Sequence, residues 1–166
     1  MIHDVLLLLM CIAYGITIYF VYKAYINNYS ISSIVCDNEC NKFIITSMSI
    51  MCFFTMLYEL YRNESYVTLL SIMFLIIGIM GVLHSNEKEM RHFIYATIVF
   101  VSILVFMFYM SYIYNYLILQ ISFYLQITLT MTMLLTIKNN IFFAEVFALM
   151  NFMIFYFYLH YICYYK

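Results

Sequence analysis

Proline is absent from the 166 residues, and glycine occurs only at positions 15, 78 and 81. Unwound or re-entrant segments of the transporter kind rely on such backbone breakers, so none is expected here. Charge is just as scarce, at 9% of residues. A soluble domain carries roughly a quarter charged residues, and this chain has too little polar material to cover such a surface. The net charge of −1 provides no basic face to neutralise phosphates, which argues against a nucleic-acid partner. No nucleophile elbow, H-E-x-x-H helix or phosphate loop is present. The opening MIHDVLLLLM has neither the basic stretch nor the small-residue cleavage site of a secretory signal, so the first apolar run is expected to stay as a span.

What remains is hydrocarbon: 67% of residues are hydrophobic and 21% aromatic. Six runs approach or exceed the roughly 20 residues that a helix needs to cross a bilayer. Hydropathy places them at about 5–22, 43–61, 66–83, 92–113, 116–137 and 141–161. The Tyr, Ile, Phe and Val content would also suit strands. Membrane barrels, however, alternate apolar and polar residues over segments of about 10, and no such alternation is visible. The expected fold is all-α, a single six-helix transmembrane bundle. Gly78 and Gly81 share one helix face at i, i+3, where small residues let helices approach closely.

In so apolar a chain, polar groups at membrane depth carry most of the functional information. The stretch from Gly81 to Phe100 ends the third span, crosses the charged link SNEKEMR and opens the fourth. His84 and His92 stand at its two rims. Glu145 lies about 6 Å into the sixth span on that same side, at 1.5 Å per residue. A buried carboxylate must be neutral or paired, and an imidazole is a natural partner. His84, His92 and Glu145 therefore form a candidate polar centre, read either as a headgroup- or ion-binding pocket or as a structural tie. Glu59 and Arg62, at i, i+3 near the opposite rim, can form an ion pair. His160 lies near the far end of the last span, across the bilayer from the other two histidines, so a haem ligated by a pair of them is not expected. Neither a metal nor any other cofactor is expected. Tyr156, Tyr158, Tyr161, Tyr164 and Tyr165 read as an interfacial belt.

The first loop holds Cys36 and Cys40 around Asp37-Asn38-Glu39. The C-x3-C spacing has no second half elsewhere to complete a zinc site. A disulfide is sterically open to the pair if the loop bends to bring the Cα atoms to about 5.5–6 Å. It needs an oxidising lumen; in the cytosol the two would be reduced thiols. The first, third and fifth loops hold five of the seven basic residues, which by loop charge places them in the cytosol. The sequons Asn28-Tyr29-Ser30 and Asn63-Glu64-Ser65 fall on opposite sides, so only one can be lumenal.

These positions together resemble the damage-regulated autophagy modulator (DRAM) family and its relatives among the GPI-anchor lipid-remodelling membrane proteins. Tyr29-Ser30-Ile31-Ser32 stands at the first-loop stretch, with Cys40 as the cysteine before the second span. Tyr61-Arg62 closes that span, and Leu83-His84 replaces a Phe-Gln pair. His92 follows His84 by eight, with Ala96 and Phe100 continuing its face, and Ala144-Glu145 matches an Ala-Glu of the sixth span. The resemblance implies six spans, cytosolic termini and lumenal odd-numbered loops, against the loop charge; that orientation favours the Cys36–Cys40 disulfide. It further implies an endomembrane protein of the lysosome, Golgi or ER rather than the mitochondrial inner membrane. Its expected role is modulation of autophagy, trafficking or lipid distribution, by binding a lipid or a membrane-protein partner, or as a homo-oligomer, without catalysis. Two alternatives stand beside it. One is a lipid-modifying enzyme with a histidine base oriented by Glu145. The other is a small subunit of a membrane complex, in line with the Ile, Phe, Tyr and Asn bias of an AT-rich gene.

Overall fold

In hydrocarbon every backbone N–H and C=O must find its partner within the segment, so long apolar runs without proline become uninterrupted helices. A computed structural model of the chain describes residues 2–25, 30–37, 41–86, 89–135 and 141–165. The described residues form α1 (Ile2–Lys23), α2 (Ile31–Asp37), α3 (Asn41–Arg62), α4 (Tyr66–His84), α5 (Met90–Tyr114), α6 (Leu117–Leu135) and α7 (Phe142–Tyr165), with no strand among them. All but α2 are long and apolar enough to cross a membrane. The protein is an integral, multi-pass, all-α membrane protein.

The expected spans are all present, and several run further than hydropathy suggests. α1 begins at Ile2, upstream of the apolar run, because Asp4 finds partners on α7. α7 continues through its terminal tyrosines to Tyr165. The α3–α4 and α5–α6 turns are tight, and an asparagine makes each of them so. Asn63 and Asn115 adopt φ of 44° and 48°, the left-handed conformation that asparagine tolerates better than most residues. Ser65 then caps α4 by accepting the Val67 N–H at 3.1 Å.

α1 packs on α3, α3 on α4, α4 on α5, α5 on α6 and α6 on α7, and α1–α7 contact closes the ring. The closest pair is α4 and α5, through the two glycines anticipated from their spacing. A Cβ on Gly78 would stand 2.8 Å from Val99 Cγ2 and 3.0 Å from the Val99 backbone nitrogen, while one on Gly81 would meet the Tyr95 ring. The core inside the ring is rich in aromatic and methionine side chains, including Tyr14, Phe106, Phe152, Tyr156, Met10 and Met51.

α2 was not expected, because ISSIVCD reads as part of a polar loop. It places Ile31, Ile34 and Val35 on one face, which packs with Val21, Ile44, Leu83 and Phe142 in a second, smaller core. It leans on α3, α4 and α7 and so covers one end of the bundle.

A candidate polar-headed cavity under α2

The end of the bundle covered by α2 holds a cavity of about 120 Å³. Ile31, Ser32 and Val35 line it from α2, with Met48 and Met51 from α3 and Leu75, Ile79 and Leu83 from α4. α5 supplies His92, Ala96, Val99, Phe100 and Ile103; α7 supplies Glu145, Ala148, Leu149 and Phe152; and Tyr14 of α1 completes the wall. The polar lining groups gather where α2 crosses the bundle, and the wall below them is almost wholly apolar.

Glu145 and His92 share this cavity, although neither is placed as a simple carboxylate–imidazole pair would place it. Glu145 Oε2 accepts the backbone N–H of Ile31 at 2.6 Å, so a side chain 114 positions away satisfies an orphan donor at the start of α2. Its structural tie thus runs to α2. His92 is buried, and its Nδ1 lies 3.2 Å from Ser85 Oγ at the end of α4. The serine hydroxyl in turn donates to the Val82 carbonyl at 3.4 Å. Ser32 contributes a hydroxyl held 3.0 Å from that of Ser30.

His84 does not join them. As the last residue of α4 it turns outward, is exposed, and sets Nδ1 2.8 Å from the Met80 carbonyl one turn back. Two of the three expected members are therefore brought together. Cys40 and the side chain of Cys36 lie outside the described residues, as do Asn28 and Tyr29 of the first sequon.

The opposite end is organised differently. Arg62 Nε donates to Glu59 Oε1 at 3.1 Å, and Nη2 makes a second, closer contact with the same oxygen. Arg62 Nη1 reaches Glu64 Oε2 at 3.3 Å, and the guanidinium stands 5.6 Å from the Phe106 ring centroid. Glu59 Oε2 accepts the Tyr156 hydroxyl at 3.1 Å. The pair expected near a rim is thus buried, with both side chains at 0% exposure. Tyr156 is buried with them and forms no part of a belt, whereas Tyr161, Tyr164 and Tyr165 are exposed.

Next to it lies a relay that the sequence reading missed. His160 Nδ1 is 2.8 Å from the Tyr58 hydroxyl, and Nε2 is 3.1 Å from Asp4 Oδ1, which also accepts the Tyr165 hydroxyl at 2.6 Å. An even number of spans puts Asp4 and His160 on the same side, and that parity was the available signal. In the middle of the bundle Asn151 Nδ2 donates to the Ser122 carbonyl at 2.9 Å and to Gln126 Oε1 at 2.8 Å. Ser122 Oγ donates to Asn151 Oδ1 at 2.8 Å.

Among the described residues no group of three or more His, Cys, Asp or Glu side chains gathers as metal ligands. Comparison with family models, with curated proteins and with solved structures finds no match to this chain.

Proposed function

We propose that this membrane protein binds a membrane lipid in the cavity under α2, with the tail among the apolar side chains of α3, α4, α5 and α7 and the head against Ser32, His92 and Glu145. The observation that carries this reading is the cavity's polarity: an apolar wall with an imidazole and a carboxylate at one end. Ligand sites in helical bundles have this make-up, mostly apolar with a few polar groups that fix orientation. The resemblance to the DRAM family supports an endomembrane location and a role in autophagy, trafficking or lipid distribution. The test is photo-cross-linking of purified protein with a bifunctional lipid, followed by peptide mapping. Adducts on α5 and α7 residues of the cavity, lost on filling it by Ala96→Phe, support the reading. Adducts unchanged by that substitution and mapping to the outer faces would sink it.

One observation favours a second, enzymatic reading: Ser32, His92 and Glu145 bring a hydroxyl, a base and a carboxylate to one cavity. Turnover of labelled lipid by purified protein, abolished in both Ser32→Ala and His92→Ala, would promote it over simple binding.

A further inference from the structure

The outward face of α6 carries a polar stripe that contact with lipid tails does not explain. We propose that two copies of the chain meet there, α6 against α6, as a parallel homodimer within the membrane.

The stripe is laid out at helical spacing. Gln120, Tyr124, Thr128 and Thr132 follow one another every four residues, which keeps them on one side of α6. The other side, with Leu119, Ser122, Gln126, Thr130 and Met133, is buried where α6 packs on α5 and α7. Tyr124, Thr128 and Thr132 are exposed, and Gln120 is half-buried.

Depth sets Tyr124 apart. Among the described residues every other exposed tyrosine lies within four residues of an end of its helix, where amphipathic rings meet the headgroups. Tyr124 lies seven residues beyond Leu117, about 10 Å down at 1.5 Å per residue. The 19 residues of α6 are about as long as the hydrocarbon core is thick, so this ring stands well inside it. Tyr124 is 65% exposed, and its hydroxyl has no hydrogen-bond partner among the described residues. One turn back, Gln120 Nε2 donates to Asn115 Oδ1 at 2.8 Å, which leaves Oε1 as an acceptor. One turn on, Thr128 Oγ1 donates to the Tyr124 carbonyl at 3.0 Å, and its oxygen can still accept. Lipid tails offer the Tyr124 donor nothing, whereas polar side chains on a neighbouring helix do.

The stripe fits a second copy because it is self-complementary. Copies inserted the same way meet with α6 parallel to α6, and a two-fold contact sets the same patch on both sides. α6 has no charged residue to repel its own image. Its hydroxyls and its amide each combine donor and acceptor. The Tyr124 hydroxyl of one copy then donates to Gln120 Oε1 or Thr128 Oγ1 of the other, and the reverse.

The experiment uses the full-length protein in proteoliposomes over a range of lipid-to-protein ratios. Copies are counted by single-molecule photobleaching, and cysteine variants are cross-linked with a membrane-soluble oxidant. Tyr124→Phe should lower the dimer fraction several-fold, since two hydrogen bonds are lost per dimer. Tyr112→Phe, which removes an exposed hydroxyl at the rim of α5, should leave that fraction unchanged. Thr128→Cys should cross-link strongly above the parent. Ile77→Cys should not, although Ile77 is exposed and lies as far into α4 as Thr128 lies into α6. A chain that is monomeric at every ratio overturns the proposal. So does a Tyr124→Phe dimer fraction equal to the parent's, or cross-linking through Ile77→Cys as strong as through Thr128→Cys.

Discussion

Replacing Glu59 by alanine is the most severe single change that the bundle invites. It removes the carboxylate that both neutralises Arg62 and accepts the Tyr156 hydroxyl, inside a site where neither charged side chain reaches the surface. Breaking a buried ion pair by deleting one partner costs about 3–5 kcal/mol, because the other charge stays buried without compensation. Glu64, at 3.3 Å from Arg62 but 29% exposed, retains part of the neutralisation and keeps the loss from going higher. At the roughly 2–4 °C per kcal/mol found for chains of 150–250 residues, the midpoint should fall by about 10 °C. The assay is thermal unfolding in detergent followed by a thiol-reactive dye, with buried Cys52 as the reporter. The double variant Glu59→Leu, Arg62→Met removes both charges together and should lose only the about 1–3 kcal/mol of the orphaned Tyr156 hydroxyl, less than the single variant, since apolar replacements of a whole buried pair are often neutral. A Glu59→Ala midpoint equal to the parent's, or a double variant as weak as the single one, would refute the reasoning.

Two further perturbations are read by the same unfolding assay. Gly78→Ala should destabilise by about 1–3 kcal/mol, as overpacking does, because its Cβ meets the backbone of α5 at Val99 N (3.0 Å) and Tyr95 O (3.1 Å). Gly81→Ala should cost at least as much, since its Cβ meets Tyr95 at Cγ, the near end of the ring, which must leave its place between α4 and α5; a Gly81→Ala variant as stable as the parent would count against the α4–α5 packing described. Gln126 Nε2 is a buried donor without a hydrogen-bond partner among the described residues, so Gln126→Met should change stability by less than about 1 kcal/mol, whereas Asn151→Leu removes three hydrogen bonds and should cost more. Equal effects at the two positions would dissolve the distinction.

Hydropathy made the spans legible because the property that selects a bilayer is local to each run. α2 was not legible in that way, since its first N–H is satisfied by Glu145 from the other end of the chain and its apolar face by four other helices. The Ile31, Ile34, Val35 spacing was the clue available in the sequence. Glu59 and Arg62 were readable as a pair from i, i+3, but their depth was not, because depth depends on Tyr156 and Phe106 arriving from α7 and α5. Tyr156 itself read as one ring among five in an aromatic tail. Whether a tyrosine faces the headgroups or a buried carboxylate is decided by helix rotation, and uniform apolarity leaves no amphipathic stripe to fix that rotation. For the same reason His84 and His92, equally near their rims in sequence, turn opposite ways.

The contrast between the two ends of the bundle bears on why the cavity persists. At the Asp4–His160 end, α1, α3 and α7 are joined by short contacts among Asp4, Tyr58, Glu59, Arg62, Tyr156 and His160, and the core around them contains fully buried aromatic rings. Such an end gains little by opening. At the α2 end the chain leaves about 120 Å³ unfilled. At about 24 cal/mol per Å³ a void of that size costs on the order of 3 kcal/mol of packing. Larger side chains at Ala96 or Ala148, both of which line the cavity, would recover part of that without touching its polar groups. Met48 and Met51, the most adaptable of side chains, already stand on the wall and leave the space open. A lipid chain bound there, as proposed, would supply contacts that the protein's own side chains do not, and the stapled opposite end stabilises the bundle around that space.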